Sequence, residues 1–322
     1  MSVDFLRRLL PDAELARATA AAARSGGERP LISFVPARFE DGAWSGVPRF
    51  DRELRRVFPN LISLRVGTRS RAVLALLARR RPDTLVITCN EASLLVPESL
   101  RTIVVHHGCA QTHFDRDPTW RGRKPRQLCE AQRAMYARKN RWFVSAAAWT
   151  AREFAAHYQV RPAAVIPHWV EPIEWPVRAR GPKPIVLGDF RDWNKGKHLM
   201  PLLAAALPDL ELRPLRCTYE TRKQAYQAAD AYLSLSVSEG GSYAVCDAEA
   251  AGMPIVMTDV GNCDEFKAAL KVPWQQRDDV QLVAATLRRA LSEPRGPSLY
   301  ASYDLETWKR AWRDMVGQVD LR

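Results

Sequence analysis

The sequence has no long hydrophobic run. Nowhere in its 322 residues do the roughly 18 consecutive apolar residues of a membrane span occur, and the apolar stretch within the first ten residues is interrupted by Arg7 and Arg8. A soluble or peripheral protein is expected. Cysteine is scarce and dispersed: Cys89, Cys109, Cys129, Cys217, Cys246 and Cys263 form no C-x-x-C pair. That excludes a disulfide-stapled secreted scaffold and fits a reducing cytoplasm. Low-complexity segments and internal repeats are missing too, so neither a disordered chain nor a repeat array is indicated.

What is present is a globular composition, 47% hydrophobic, on a chain long enough for two domains. Short apolar runs alternate with amphipathic segments in both halves, the pattern of parallel α/β architecture. Prolines at 162, 167, 172, 176, 182 and 184 punctuate the passage between the halves. The expected division is 1–172, 173–302 and a terminal helix in 303–322.

The most informative stretch runs from Ser236 to Asp259. Ala231–Val237 and Pro254–Met257 read as buried strands, and the small-residue segment Asp247–Ala251 reads as helix closing on the C-cap residue Gly252. Before it, Glu239, Gly240, Gly241 and Ser242 form a polar loop whose glycines admit close backbone approach and aim amides at an anion. Two carboxylates, Glu239 and Asp247, thus fall near the carboxyl edge of a parallel sheet, where open α/β folds bind ligands. Upstream, Pro184–Gly188 reads as a strand, followed by Arg191, Lys195 and Lys197 at the opening of a helix. Cations there oppose the helix dipole unless an anion is to be bound.

The order Ser-x-x-Glu-Gly, Ala-x3-Gly-x-Pro, three apolar residues and Thr-Asp resembles the signature of retaining GT-B glycosyltransferases of the family 4 type. That family has two glutamates separated by seven residues; here the second position holds Asp247. The resemblance implies an α/β protein of two Rossmann-like domains facing across a cleft. The second domain should be reduced, because little sequence separates Leu210–Leu215 from the strand at Ala231. It implies transfer of a sugar from a nucleotide diphosphate donor with retained configuration, and no cofactor or metal.

In those terms Glu239 lies against the donor sugar, and Asp247 hydrogen-bonds the ribose with Glu249 as its substitute. Arg191, Lys195 and Lys197 meet the diphosphate, and Gly240, Gly241 and Ser242 belong to the donor site. A carboxylate can accept from two vicinal hydroxyls. Fixed cations stabilise the negative charge that grows on a departing phosphate.

The first half supplies the counterpart. Leu31–Val35 reads as a strand, and the loop and helix of Gly42–Leu54 resemble the family's phosphate-facing glycine loop, with Gly46 kept and Ser45 in place of a second glycine. Thr102–Gly108 resembles the strand that brings a histidine to the cleft; His107 aligns best and His106 next, and strand alternation lets only one of them face it. Taken alone, His106, His107, His113, Asp115 and Asp117 suggest a metal cluster, which the resemblance does not require. Ile166–Glu171 resembles the family's linker, with His168 and Trp169 replacing Asn-Gly. Tyr303–Val316 reads as an amphipathic helix that, by resemblance, crosses back to the first domain.

The formal net charge of +12 is unevenly placed: residues 1–170 carry 28 Lys and Arg against 15 Asp and Glu, and the remainder 20 against 21. The densest regions are Arg65–Arg81 and Arg116–Arg141, the latter interleaved with Trp120, Tyr136 and Trp142. No helix-turn-helix, zinc or RNP pattern accompanies them, so nucleic acid is not the expected partner. The reading is a cytoplasmic enzyme acting on a glycan or glycolipid acceptor, with its basic half contacting an anionic inner membrane face, each cation contributing about 1 kcal/mol there. The alternative is a catalytically weak protein of the same fold that binds a nucleotide-sugar or glycan.

Overall fold

The computed structural model describes residues 12–24, 27–38, 46–174, 183–294 and 296–320. Arg7, Arg8, the loop 42–45, Pro176 and Pro182 lie outside the described residues.

The described strands form two parallel sheets. The first contains β1 (Leu31–Val35), β2 (Ile62–Arg65), β3 (Leu85–Cys89), β4 (Arg101–His106), β5 (Arg141–Ser145) and β6 (Ala164–Val165), in the order β2-β1-β3-β4-β5-β6. The second contains β7 (Ile185–Gly188), β8 (Glu211–Pro214), β9 (Ala231–Ser234), β10 (Ile255–Thr258) and β11 (Leu270–Val272), in the order β11-β10-β9-β7-β8. Both sheets are wound alike: the second strand is laid on one side of the first, and the chain then crosses to the other side. The α/β class and the smaller second unit agree with the sequence reading. The short interval after Leu215 still holds a helix, Arg222–Gln227, so the winding is preserved.

Central strands β3, β9 and β10 are buried along their whole length, as parallel strands covered on both faces must be. Register sets their ends level. Cys89 pairs with Val105 and His106 with Ser145 in the first sheet. Gly188 pairs with Leu233 and Met257 with Ser234 in the second. The loops that follow therefore start from two common edges.

One apolar cluster joins the halves. Helix Leu305–Asp320 buries Trp308, Trp312, Met315 and Val319, the i, i+4, i+7, i+11 stripe of an amphipathic helix. It packs on helix Gly46–Val57, with the Phe50 and Trp312 rings 5.5 Å apart. Leu187, Tyr226 and Tyr243 of the second half share that cluster. Separate clusters around Ile32, Phe34 and Leu77 and around Val186, Leu233 and Leu287 complete the cores of the two sheets.

Candidate active site

The carboxyl ends of β4, β7, β8 and β9 open on a cavity of about 730 Å³ between the halves. The second half lines it with Asp189, Arg191 and Lys195 after β7, with Leu215, Arg216 and Cys217 after β8, and with Glu239, Gly240, Gly241, Ser242, Tyr243, Ala244 and Asp247 after β9. The first half contributes Gly46, Val47 and Arg49 from the start of helix Gly46–Val57, and His107 after β4. Strands β7 and β9 are the neighbours at which the second sheet reverses its winding, the usual crevice for ligands in open α/β sheets.

Two loops of the second half are tied into one unit. Asn194 Nδ2 donates to the Ser238 carbonyl at 3.2 Å, and its Oδ1 accepts from the amides of Val237 and Ser238 at 3.3 and 3.1 Å. The buried Arg277 donates to the carbonyls of Asn194 and Leu235, each at 2.8 Å. This lattice presents Lys195 to Glu239, and the two are ion-paired. Glu239 also accepts from Ser236 Oγ at 2.7 Å, and Lys195 Nζ stands 3.9 Å from Asp189. Behind Glu239 is Gly261, at φ +62°, where a Cβ would come within 2.7 Å of the Glu239 Cβ.

Arg191 lines the cavity but remains 67% exposed, paired with Asp189 at 2.7 Å. Lys197 and Glu249 are not among the cavity-lining residues. Lys197 is exposed, whereas Glu249 is fully buried and accepts the Leu299 amide at 2.8 Å. The reason for Glu249 is periodicity: residues two apart on a helix do not share a face, so Asp247 and Glu249 cannot serve the same ligand.

The helix carrying Asp247 spans Tyr243–Ala250, opening four residues earlier than the sequence suggested, and Gly252 follows it at φ +70° as a left-handed C-cap residue. Ser242 at its N-cap makes no side-chain capping bond, and the Ser242 amide donates to Asn262 Oδ1 at 2.9 Å. Asp247 itself is 2% exposed and is gripped across the cleft by Arg49, Nη1 to Oδ2 at 2.6 Å and Nη2 to Oδ1 at 2.8 Å. Arg222 Nε lies 3.8 Å from the same carboxylate. Burial acts against the Arg49 cation, but the Asp247 carboxylate outweighs it and holds the guanidinium above its ordinary value. Arg49 also lies over the Tyr243 ring, 4.5 Å from its centroid.

Sequence reasoning did not single out Arg49. Its signal is faint: Arg49 and Glu53 run one position ahead of the buried Phe50 and Leu54, so they flank the apolar stripe and are drawn into the interface with it. Glu53, buried, accepts from the Tyr219 hydroxyl at 3.3 Å, and burial pushes its carboxyl up.

The histidine pair alternates. His106 points into the first half, between Ser145 Oγ at 2.9 Å and the Tyr136 hydroxyl at 3.0 Å, with its ring stacked on Phe154; burial, helped by His107, lowers its pKa to about 3. His107 faces the cavity. The residue keeps some accessible surface, yet its Nε2 is buried without a hydrogen-bond partner, and burial lowers its pKa to about 4. Its ring stacks on His168, which in turn stacks on Tyr243 with centroids 4.3 Å apart. His168, the residue that departs from the family's linker, is therefore a neutral spacer between the halves, its pKa lowered by burial and then by His107 and Arg49.

Gly240 is where the two backbones meet. A Cβ there would collide with the His107 carbonyl and come within 2.5 Å of the Gly108 nitrogen, so the need for glycine comes from the opposite half of the protein. Thr150 Oγ1 holds the close approach by donating to the Gly240 carbonyl at 3.0 Å. The metal cluster weighed from the sequence does not assemble: His106 is in the core, His113 pairs with Asp117, and no group of three potential ligands suits a metal ion among the described residues.

Solved structures share this fold. The chain superposes on sucrose-phosphate synthase from Thermosynechococcus elongatus with a TM-score of 0.67, covering 91% of this chain and 100% of that one at 13% identity. The fold is GT-B. Within that fold the chain is also similar to the UDP-forming trehalose-phosphate synthase of Burkholderia vietnamiensis, at a TM-score of 0.59, 12% identity, and 92% and 98% of the two chains. Anabaena HepE in complex with UDP-glucose matches at 0.55, with 10% identity, and 89% and 99% covered. No protein-family model and no curated protein matches the sequence. In GT-B terms, the loops after β7 and β9 carrying Lys195 and Glu239 face His107 across the interdomain cleft. No helix among the described residues is long and apolar enough to cross a membrane.

Proposed function

We propose that the protein is a retaining glycosyltransferase, moving a sugar from a nucleotide diphosphate donor to a hydroxyl of a glycan or glycolipid. The observation that carries this reading is the juxtaposition of Lys195 and Glu239 on one wall of the cavity with His107 on the other. The UDP-forming trehalose-phosphate synthase and HepE, the latter in complex with UDP-glucose, share the fold.

In the proposed reaction the bond between the anomeric carbon and the diphosphate oxygen breaks, and the nucleoside diphosphate leaves with the electron pair. Lys195 and Arg191 exchange part of their contact with Glu239 and Asp189 for the diphosphate and stabilise its growing charge. The acceptor oxygen bonds to the same face of the anomeric carbon, and its proton passes to the departing diphosphate. Glu239, freed in part from Lys195, supports the positive charge on the sugar. His107, held neutral, hydrogen-bonds a sugar hydroxyl rather than adding a charge. Asp247 would hold the ribose with the acceptor sites that Arg49 leaves on its carboxylate. No metal is required, and turnover should persist in excess chelator.

The basic face of the first half belongs to the same proposal. Arg123, Lys124, Arg126 and Arg133 are exposed on helix Arg123–Met135, as are Arg69, Arg71, Arg79 and Arg80 on helix Thr68–Arg80, and we assign them to an anionic membrane surface. A panel of UDP-, GDP- and ADP-sugars tests the function directly. One donor class should raise the unfolding temperature and release its nucleoside diphosphate when an acceptor is added; stabilisation without release under any acceptor would favour a binding protein.

A further inference from the structure

A second cavity, about 250 Å³, adjoins the first and shares His107, Glu239 and Gly240 with it. Its remaining lining comes mostly from the first half and includes Asn90, Glu91, His113, Trp120 and Gln132. From this lining, and resting on the glycosyl transfer proposed above, we infer that this cavity receives the acceptor as an uncharged sugar or polyol and rejects a sugar phosphate.

The argument begins with charge. No Lys or Arg lines the cavity. The cations nearest in sequence are committed elsewhere: Arg116 donates to the Val237 carbonyl at 3.1 Å and pairs with Glu153 at 3.3 Å, and Arg121 donates to the Asp115 carbonyl and lies over the Phe114 ring. Lys195 lines only the donor side, where Glu239 holds it. His113 is paired with Asp117 at 3.1 Å. A phosphate entering here would give up water with no cation to compensate, a cost that excludes it.

The groups that remain suit hydroxyls. Asn90 and Gln132 are spent on the loop that shapes the cavity: Asn90 accepts from the His107 amide, Gln132 accepts from the Ala110 amide, and both donate to the Gly108 carbonyl. Glu91 Oε2 and His107 Nε2 are buried polar atoms without a hydrogen-bond partner. Burial pushes the Glu91 carboxyl up, toward a form that both donates to and accepts from a hydroxyl. Trp120, tilted against His113 with centroids 4.4 Å apart, supplies an apolar face for the C–H side of a sugar ring. The volume lies just below the roughly 300–1,000 Å³ of ligand pockets and suits one ring-sized unit. His107, at the junction, stands where the two sugars would meet.

The test measures acceptor-stimulated release of nucleoside diphosphate, using the donor found by thermal shift. The acceptors are methyl glycosides of glucose, mannose, galactose and N-acetylglucosamine, set against glucose 6-phosphate and mannose 6-phosphate. The inference expects stimulation by at least one neutral glycoside and none by the phosphates. It also expects Glu91→Gln and Trp120→Ala each to raise the acceptor KM by about tenfold or more, with donor binding unchanged. Stimulation by either phosphate, or an acceptor KM unaltered in both variants, overturns the inference while leaving the donor reading intact. Absence of any donor binding would instead refute the proposed function itself.

Discussion

Replacing Asp247 by asparagine keeps the shape of the side chain and removes its charge. In the native protein this carboxylate faces two guanidiniums, Arg49 at 2.6 and 2.8 Å and Arg222 at 3.8 Å, and all three side chains are 2% exposed or less. Neutralising it leaves two buried cations sharing one amide. Arg222 retains the Tyr219 carbonyl at 2.6 Å and Glu171 at 3.1 Å, whereas Arg49 is left with the faces of Tyr243 and Tyr219 and the nearby Glu53 carboxyl. Breaking a buried pair by removing one partner costs about 3–5 kcal/mol, a large share of the roughly 5–15 kcal/mol by which domains are stable. Adding Arg49→Met removes the stranded cation, so the double variant should recover part of that loss. The expected coupling in the cycle is about 2 kcal/mol or more. Urea unfolding of the four proteins, followed by far-UV circular dichroism, measures it. An Asp247→Asn variant within about 0.5 kcal/mol of wild type, or strictly additive variants, would refute the reasoning.

Three other outcomes follow from the geometry. Gly240→Ala places a methyl group against the His107 carbonyl and should cost about 1–3 kcal/mol or more, read as a lower melting temperature together with reduced turnover; an unchanged melting temperature contradicts the close approach. His106 stays neutral in the native protein until about pH 3 but takes a proton below about 6.5 when unfolded, so acidification through that window favours unfolding. The loss is about 1.4 kcal/mol per pH unit for one proton; His106→Gln should flatten the pH dependence of the unfolding free energy, measured by urea titration, by that amount, and equal slopes would rule the assignment out. Cosedimentation with phosphatidylglycerol vesicles should exceed that with phosphatidylcholine and fall in the Arg123→Glu, Lys124→Glu, Arg126→Glu triple variant; binding no greater than the neutral background removes the membrane role.

Much of the fold is legible because parallel α/β units advertise themselves locally. Strands β3, β4, β7, β9 and β10 are short, mainly apolar runs, and Gly252 marks a helix end by its left-handed conformation. The pairing of Lys195 with Glu239 was approachable in the same way, since both sit in loops directly after neighbouring strands. What could not be read was which residues meet across the cleft. Arg49 and Asp247 lie 198 positions apart, and nothing near Arg49 distinguishes it from the half-buried Arg52 or Arg55 except its place beside Phe50. Gly240 looked like a ligand-facing glycine, and only the opposing His107 backbone shows what else forbids a side chain there. The assignments of Lys197 and Glu249 came from motif spacing, which does not track the turn of a helix.

The central claim, donor cleavage assisted by Lys195 and Glu239, is tested most directly by following transfer in wild type and Lys195→Ala, with the product's anomeric configuration read by proton NMR. The account predicts a product that retains the donor's configuration and a fall in kcat of about 10²–10³ in the variant, the scale on which fixed electrostatic groups act. An inverted product, or turnover that does not depend on Lys195, would contradict it.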